Sequence, residues 1–182
     1  SLIAEALPRI WQHNPTEGHR GLEELRRLTR GASAEMRTLL LELRPAALTE
    51  KPLGDLLRQL TEAVTSRTQV PIALAVKGES LLLPDLQIGM YRIAQEALNN
   101  VSKHAAASQV SVHLHCNSDS VSLSIQDDGI GFLIEDVRPD QLGLGVMRER
   151  ALAMGGHFEV ISQPGGGTQV RVSCSPKGVK VE

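Results

Sequence analysis

The segment from Val121 to Phe132 constrains the fold most, because it joins a half-buried strand to an acidic, glycine-rich turn. Its first half alternates apolar and polar residues, which is the period of a strand with one buried face. The strand ends in the sequence Asp127-Asp128-Gly129-Ile130-Gly131. An acidic residue there supplies a fixed hydrogen-bond acceptor, and adjacent glycines let backbone approach a ligand closely. The alternative interpretation is a plain Asp-Gly turn between two strands.

Two further glycine clusters and a polar helix face favour a binding site over a plain turn. The clusters are Gly143-Leu144-Gly145 and Gly165-Gly166-Gly167-Thr168, whose backbone N–H groups suit phosphate oxygens. A helix predicted over residues 84–104 has an apolar side and an opposite face that carries Arg92, Glu96, Asn99, Asn100 and Lys103. Oxygens of Asn and Glu suit Mg²⁺, and Lys suits phosphate. An ordinary solvated helix face is the alternative, although asparagine is a poor mid-helix residue.

A long helix predicted at about residues 21–43 points to an oligomeric N-terminal part. Its apolar or small residues repeat at alternating spacings of three and four, at Leu22, Leu25, Thr29, Ala32, Met36, Leu39 and Leu43. Three further leucines widen this stripe, which favours a four-helix bundle formed by two hairpins of a homodimer. Packing of the stripe on its own chain is the alternative. A shorter helix is expected over residues 1–14, and a turn is expected at His13–Gly18.

The pattern changes at Arg44-Pro45, which is predicted to end the long helix. We therefore divide the chain into a partial helical hairpin at residues 1–45 and a second domain at residues 46–182. Within the second part, helices are predicted at about residues 53–66, 84–104 and 146–154. Strands are predicted at about residues 71–76, 109–116, 121–126, 157–162 and 168–174. This order indicates an α+β fold, a two-layer sandwich with helices on one face of a mixed sheet.

Charge and composition argue against several classes of partner. The net charge of −2 and an aromatic content of 2% provide neither a basic surface nor a stacking platform for nucleic acid. No apolar run is long enough to span a bilayer, so we expect no direct membrane contact. Cys116 and Cys174 match no metal-binding spacing, and are interpreted as buried thiols of a reducing cytoplasm.

Four motifs in this order resemble those of the Bergerat-fold ATP-binding proteins, which include sensor histidine kinases, gyrase-type topoisomerases, Hsp90 and mismatch-repair ATPases. Residues 91–104 resemble the N box, and Asp127–Phe132 resembles the first glycine box. Residues 143–151 and 164–168 resemble the second and third glycine boxes. The sequence Gln-Glu-Ala-Leu-Asn-Asn, together with Leu-Arg-Pro at residues 43–45, is similar to the nitrate/nitrite-type and DesK-type sensor kinases.

The resemblance implies roles for individual residues. Asn100 would ligate the Mg²⁺ that bridges the phosphates, and Glu96 would help to position water or the metal. Lys103 would contact phosphate oxygens. Asp127 would accept a hydrogen bond from the adenine amino group, with Thr168 nearby. The glycines Gly129, Gly131, Gly143 and Gly145 would let backbone pack beside the nucleotide, and residues 132–145 would form a short lid over ATP.

Two arginines of the second glycine box have two expected roles. Arg148 and Arg150 would contact phosphate or form a structural salt bridge.

The activity implied is transfer of the γ-phosphoryl group of ATP to a histidine, for relay to a response regulator. None of the six histidines matches the family's acceptor motif, in which an acidic residue follows the histidine. We expect that acceptor to lie before Ser1, in the cytoplasmic part of a sensor that is membrane-anchored or soluble. Two alternatives stay open: another ATPase of this fold, and a dimeric interaction module with a vestigial nucleotide site.

Overall fold

The computed structural model describes residues 11, 14–43, 48–78, 82–136 and 142–175. Within these ranges four α-helices and five strands follow one another. The helices are α1 (Pro15–Leu43), α2 (Leu53–Thr68), α3 (Pro84–Asn100) and α4 (Leu142–Ala153). The strands are β1 (Ile72–Lys77), β2 (Val110–Cys116), β3 (Val121–Asp127), β4 (His157–Ser162) and β5 (Thr168–Cys174). A π turn (Val101–Ala105) extends α3, and a 3₁₀ turn (Ile134–Asp136) follows β3.

The five strands form one mixed sheet in the order β1-β2-β3-β5-β4. Strand β1 runs parallel to β2, and all the other neighbours are antiparallel. The register places Asp127, the last residue of β3, opposite Val110 on β2 and Thr168 on β5. Asp127 therefore lies between the first residues of β2 and β5, at the end of the sheet where β3 finishes.

Helices cover one face of this sheet. Helix α2 contacts β1, α3 contacts β3, and α4 contacts β4 and β5. Buried side chains alternate with more exposed ones along β2 and β3, as the sequence alternation predicts. The core between the layers is almost wholly aliphatic, with Met90, Tyr91 and Met147 as its largest other members. The predicted α+β sandwich is confirmed.

Helix α1 lies alongside α2, and its apolar stripe is only partly covered. Leu22 and Leu25 are half-buried, whereas Leu28 is 44% exposed and Met36 is 66% exposed. The part of α1 near residue 36 thus presents an apolar side chain to solvent in the single chain. Other predicted stripe positions, including Leu39 and Leu43, have side chains outside the described part of the chain. A dimer partner for this stripe stays a prediction.

The predicted turn over His13–Gly18 is wrong from Pro15 onward, because α1 begins there. The Asn14 side chain accepts a hydrogen bond from the Glu17 N–H at 3.2 Å and donates one to the Glu17 carboxylate at 3.3 Å. These two bonds cap the helix, and proline is favoured at the first helical position. The helix predicted over residues 1–14 and the boundary at Arg44-Pro45 lie almost wholly outside the described residues.

No helix among the described residues combines the length and apolarity that a membrane span requires.

Candidate functional site

A cavity of about 610 Å³ opens between α3, the end of β3 and the start of α4. Most of the residues singled out in the sequence line it: Glu96, Asn100, Lys103, Asp127, Gly131, Gly143 and Thr168. Gly129 and Gly145 are not among the lining residues. The fold therefore brings together parts of all four sequence motifs around one space.

Helix α3 supplies one wall of the cavity. Glu96 and Asn100 lie one turn apart on its cavity side, while Ile93 and Ala94 are buried against the sheet. After Asn100 the helix widens into the π turn, and Lys103 and His104 in that turn also line the cavity. A π turn rotates the residues that follow it relative to a regular helix, and such turns are frequent at functional sites.

Asp127 lies at the floor of the cavity and is only 6% exposed. Its Oδ1 accepts hydrogen bonds from the Gly129 N–H at 2.9 Å and from the Thr168 N–H at 3.3 Å. Burial raises the pKa of this carboxyl, and the two backbone hydrogen bonds oppose that rise. Within the described part of the chain all hydrogen bonds of the carboxylate go to Oδ1. Oδ2 therefore keeps its lone pairs for a ligand donor.

The first glycine box is held tightly by other parts of the backbone. Gly131 has a φ of +58°, and a Cβ there would lie 2.0 Å from the Gln163 carbonyl oxygen. A Cβ on Gly129 would lie 2.2 Å from the Ala105 carbonyl oxygen. The Gly165 N–H also donates to the Ile130 carbonyl at 2.7 Å. These glycines thus pack the acidic turn against the protein itself, which fixes Asp127 in place.

Gly143 joins the second glycine box to α3. A Cβ at this position would lie 2.6 Å from Glu96 Oε1 and 3.3 Å from Asn100 Nδ2. A side chain at this position would push the Glu96 carboxylate aside, so glycine lets α4 approach α3 without displacing it. The expectation of a glycine loop here is wrong, because Gly143 and Gly145 already belong to α4, and a Cβ on Gly145 would meet open space. First-turn N–H groups of a helix lack intrahelical acceptors and suit anions.

Several lining residues had no role assigned to them from the sequence. Asn99 belongs to the polar helix face that the sequence singled out, and His104 and Asp136 add further polar groups. Ile125, Val170, Leu144 and Phe132 add apolar surface. Ile125 and Val170 are register partners on β3 and β5. They lie side by side in the sheet, two residues from Asp127 and two residues from Thr168. Sequence alternation marked both as core residues. It could not show that this stretch of core is open to a cavity.

Arg148 occupies a place that neither of its expected roles describes. Its guanidinium carbon lies 5.9 Å from the centre of the Phe158 ring, an arrangement typical of a cation–π contact. Arg148 and Arg150 are not among the residues that line the cavity, and neither forms an ion pair with a described residue. Arg148 thus packs α4 against β4.

The residues beside Gly143 fit a magnesium ion that a phosphate ligand would share. Glu96 Oε1 and the Oδ1 and Nδ2 atoms of Asn100 all lie within 3.5 Å of the point that a Cβ on Gly143 would occupy. Among the described residues no group of three or more His, Cys, Asp or Glu could hold a metal alone. Mg²⁺ is typically bound by one or two protein oxygens together with substrate phosphates and water. The sparse donor set therefore suits Mg²⁺ brought by a nucleotide.

The two cysteines lie away from this cavity. Both are buried, and burial raises the pKa of the Cys116 thiol and raises that of Cys174 to about 11. Both thiols are therefore protonated and unreactive at neutral pH.

Comparison with known proteins gives a consistent picture. Residues 85–178 match the family model described as histidine kinase-, DNA gyrase B-, and HSP90-like ATPase. The chain is 35% identical over 151 residues to the sensor protein VraS of Staphylococcus saprophyticus, covering 82% of this chain and 43% of that protein. It is 38% identical over 141 residues to the sensor histidine kinase LiaS of Bacillus subtilis, covering 78% of this chain and 39% of that protein. The chain thus spans less than half the length of these curated relatives.

Solved structures agree in fold. The histidine kinase domain of the blue-light activated histidine kinase from Erythrobacter litoralis EL346 has a TM-score of 0.57 at 20% identity, covering 69% of this chain and 62% of that one. Full-length ShkA, solved in complex with AMPPNP, has a TM-score of 0.58 at 20% identity, covering 90% of this chain and 39% of that one.

Proposed function

Because the chain belongs to the family of histidine kinase-, DNA gyrase B- and HSP90-like ATPases, we propose that it binds Mg-ATP and transfers the γ-phosphoryl group to a histidine. The observation that carries this proposal is the single cavity shared by Asp127, Lys103 and the Glu96–Asn100 pair. Its similarity to the sensor kinases VraS and LiaS supports the kinase activity over other activities of the family. The sequence Gln-Glu-Ala-Leu-Asn-Asn at residues 95–100 supports assignment of the chain to the nitrate/nitrite-type and DesK-type kinases.

The residues of the cavity divide into a base end and a phosphate end. Asp127 Oδ2 accepts a hydrogen bond from the adenine amino group, and Ile125 and Val170 provide apolar surface for the base. Lys103 contacts phosphate oxygens, and the first turn of α4 offers them N–H groups. Asn100 holds the magnesium ion and Glu96 positions it or a water. Bound Mg²⁺ would neutralise charge on the phosphates during transfer.

The acceptor histidine is proposed to lie outside residues 1–182, since none of the six histidines is followed by an acidic residue. Among the histidines that the structure describes, His104 alone lines the cavity, and Ala105 follows it. A full protein would then pass the phosphoryl group to a response regulator, acting as a homodimer in the cytoplasm. The alternative of a dimeric module with a vestigial site is disfavoured because the cavity retains its carboxylate, amide and lysine together.

Binding is tested by titration calorimetry with ATP in the presence of Mg²⁺. The Asp127→Ala and Asn100→Ala variants remove the base acceptor and the metal ligand, and each should weaken binding by about tenfold or more. The matched control is Asp119→Ala, an exposed carboxylate in the turn between β2 and β3, at the opposite end of β3 from Asp127. Wild-type affinity in Asp127→Ala would contradict the site assignment.

Transfer is tested separately with γ-labelled ATP. The chain alone should acquire no acid-labile label, because its acceptor is absent. An added helical hairpin that carries a histidine followed by an acidic residue should become labelled, although slowly, since no tether raises its effective concentration. Label on the chain alone would show that one of its own six histidines is the acceptor. ATP hydrolysis without any transfer would favour another ATPase of this fold.

A further inference from the structure

Asp128 follows the base acceptor Asp127 directly, yet it does not line the cavity. Its side chain instead binds the segment that follows the π turn of α3. Oδ1 accepts hydrogen bonds from the Ser108 N–H at 2.8 Å and the Gln109 N–H at 3.0 Å, and Oδ2 accepts one from the Ser108 hydroxyl at 2.5 Å. The Asp128 N–H returns a longer bond to the Gln109 carbonyl at 3.4 Å. The carboxylate is thus fully engaged with two neighbouring residues.

The same two segments also meet at nearby residues. The Ile130 N–H donates to the Ala105 carbonyl at 2.8 Å, and Gly129 packs against that carbonyl so closely that a Cβ would overlap it. Ala105 is the last residue of the π turn. The acidic turn and the end of the π turn are therefore one hydrogen-bonded unit.

The segment that Asp128 holds is one that would not keep its shape alone. Ala106 has a φ of +48°, a left-handed conformation that costs energy in a residue with a side chain. A π turn is also less favourable than a regular helix, so it persists only where surrounding contacts hold it. The bonds from Asp128 to residues 108 and 109 act immediately after this strained position.

The π turn carries Lys103, and its placement decides where that lysine points. Lys103 is exposed, lines the cavity, and forms no ion pair with a described residue. No local partner therefore fixes its side chain, and its reach is set by the backbone of the turn. If the turn relaxed to a regular helix, Lys103 and His104 would rotate about the helix axis.

We propose that Asp128 is a positioning residue for the phosphate end of the nucleotide: by clamping residues 108–109 it holds the π turn that presents Lys103 to the cavity. This inference depends on the proposed nucleotide site and adds a division of labour within it. Asp127 holds the base, while its neighbour Asp128 acts on the phosphates through α3 without touching the ligand. The Ser108 hydroxyl and the Gln109 N–H lower the pKa of the Asp128 carboxyl, so the clamp stays ionised at neutral pH.

The test compares ATP with adenosine, which has the base but no phosphates. Asp128→Ala should weaken binding of Mg-ATP by about tenfold, which is the size of effect seen when a residue that orients a metal ligand is removed. It should leave adenosine binding unchanged. In a Lys103→Ala background the same substitution should cause no further loss for ATP, because the group that it positions is gone. Asp119→Ala is the matched control and should bind both ligands as the wild type does.

Each other outcome overturns a defined part of the argument. Equal weakening for ATP and adenosine, or a full effect of Asp128→Ala in the Lys103→Ala background, would show that Asp128 only stabilises the fold. Unchanged ATP binding in Asp128→Ala would show that the clamp has no role in binding. If Asp128→Ala does not fold, Ser108→Ala takes its place, since it removes the hydroxyl hydrogen bond to Asp128 and keeps the two backbone hydrogen bonds. Ser108→Ala should weaken binding of ATP and leave binding of adenosine unchanged. Unchanged ATP binding in that variant would overturn the inference. Failure of the wild type to bind ATP would instead refute the proposed function.

Discussion

Asp127 and Asp128 show how two adjacent residues of one type acquire opposite properties from their surroundings. Asp127 is buried, and desolvation raises its pKa. Asp128 is exposed, and the Ser108 hydroxyl with the Gln109 N–H lowers its pKa. Strand alternation accounts for the difference, since successive side chains point to opposite faces. The first side chain turns into the cavity and the second turns toward the segment after α3.

Asp127→Asn should reverse the hydrogen-bonding preference of the base end. The Asn oxygen can still accept from the Gly129 and Thr168 N–H groups, which places the amide nitrogen where Oδ2 stands in the native residue. A donor would then face the adenine amino group, itself a donor, so ATP binding should fall by about tenfold or more. A base with a carbonyl at that position, such as hypoxanthine in ITP, should lose much less. Calorimetry with both nucleotides checks this, and equal losses for ATP and ITP would contradict it.

The two carboxyls should also give opposite pH dependences of stability. The folded pKa of Asp128 is lowered, so its stabilising contribution is present above the unfolded pKa and is lost as the pH falls. The folded pKa of Asp127 is raised, so its contribution is greatest below the unfolded pKa and is lost as the pH rises through the folded value. Asp128→Asn should therefore flatten the acid side of the stability profile. Asp127→Asn should leave the free protein as stable or more stable at neutral pH.

Urea unfolding between about pH 3 and pH 7, the range in which carboxyl groups titrate, measures both effects. A loss of neutral-pH stability in Asp127→Asn would show that its hydrogen bonds outweigh its desolvation. The expected gain without ligand, together with the expected loss of binding, would make Asp127 a residue kept for function at a cost in stability.

At the scale of elements, α3 is fixed at both ends by different devices. Its far end meets the acidic turn, and its beginning is held by Gln87, which is buried. The Gln87 side-chain amide donates hydrogen bonds to the Leu48 carbonyl and, at 2.7 Å, to the Lys51 carbonyl. Leu48 is itself fully buried, so the segment that precedes α2 is bound to the helix that carries Glu96 and Asn100.

Gln87→Leu should lower the free energy of unfolding by about 2 kcal/mol, because it leaves the buried Leu48 carbonyl and the partly buried Lys51 carbonyl without their donor. The change is measured from urea midpoints. Gln126→Leu is the control, since Gln126 is exposed on β3 and surface substitutions usually stay within about 0.5 kcal/mol. Similar midpoints for both variants would show that water replaces the Gln87 bonds.

The sequence predicted elements well where a local period defines them. Strands β4 and β5 were predicted with the bounds that the structure shows, and β2 and β3 to within one residue. Alternation marks these strands, and Gly156 and Gly167 mark where β4 and β5 begin. The π turn was missed, since it depends on contacts of Ala105 and Ser108 with a segment more than twenty residues away. The helical state of Gly143 was also missed, because two glycines within three residues predict a loop.

The candidate site was predictable to a similar degree. Glu96, Asn100 and Asp127 were found from residue chemistry and motif order, and they do line one cavity. Whether Gly129 faces a ligand or the Ala105 carbonyl depends on tertiary packing, which no local pattern records. For the same reason, the apolar surface of Ile125 and Val170 could be assigned only to the core.

At the scale of the whole molecule, the apolar stripe of α1 bears on whether the chain forms a homodimer. Leu22 and Leu25 in the first part of α1 are half-buried, whereas Met36 is two-thirds exposed. A repeat pattern cannot distinguish a face covered by α2 from one covered by a second copy. Both arrangements use the same spacing, and in the single chain α1 lies alongside α2.

Met36→Glu should therefore leave the single chain folded and disrupt a homodimer. Burying a carboxylate in an apolar interface costs several kcal/mol, whereas an exposed one costs little. Light scattering over a range of protein concentration should show the wild type as a dimer and the variant as a monomer. Leu39→Glu should act likewise. Arg20→Glu adds an acid off the stripe and should remain dimeric, and a wild type that is monomeric at high concentration would refute the dimer.

The scarcity of aromatic residues has an optical consequence. The one tryptophan of the chain is Trp11, which lies edge-on to His19 near the start of α1, and Tyr91 is fully buried in the core. Indole fluorescence therefore reports on the region around α1 and is blind to the cavity. Phe132 lines that cavity and is half-buried. A Phe132→Trp, Trp11→Phe protein would place its one tryptophan beside the base, so that nucleotide binding becomes visible as a change in indole emission without a labelled ligand.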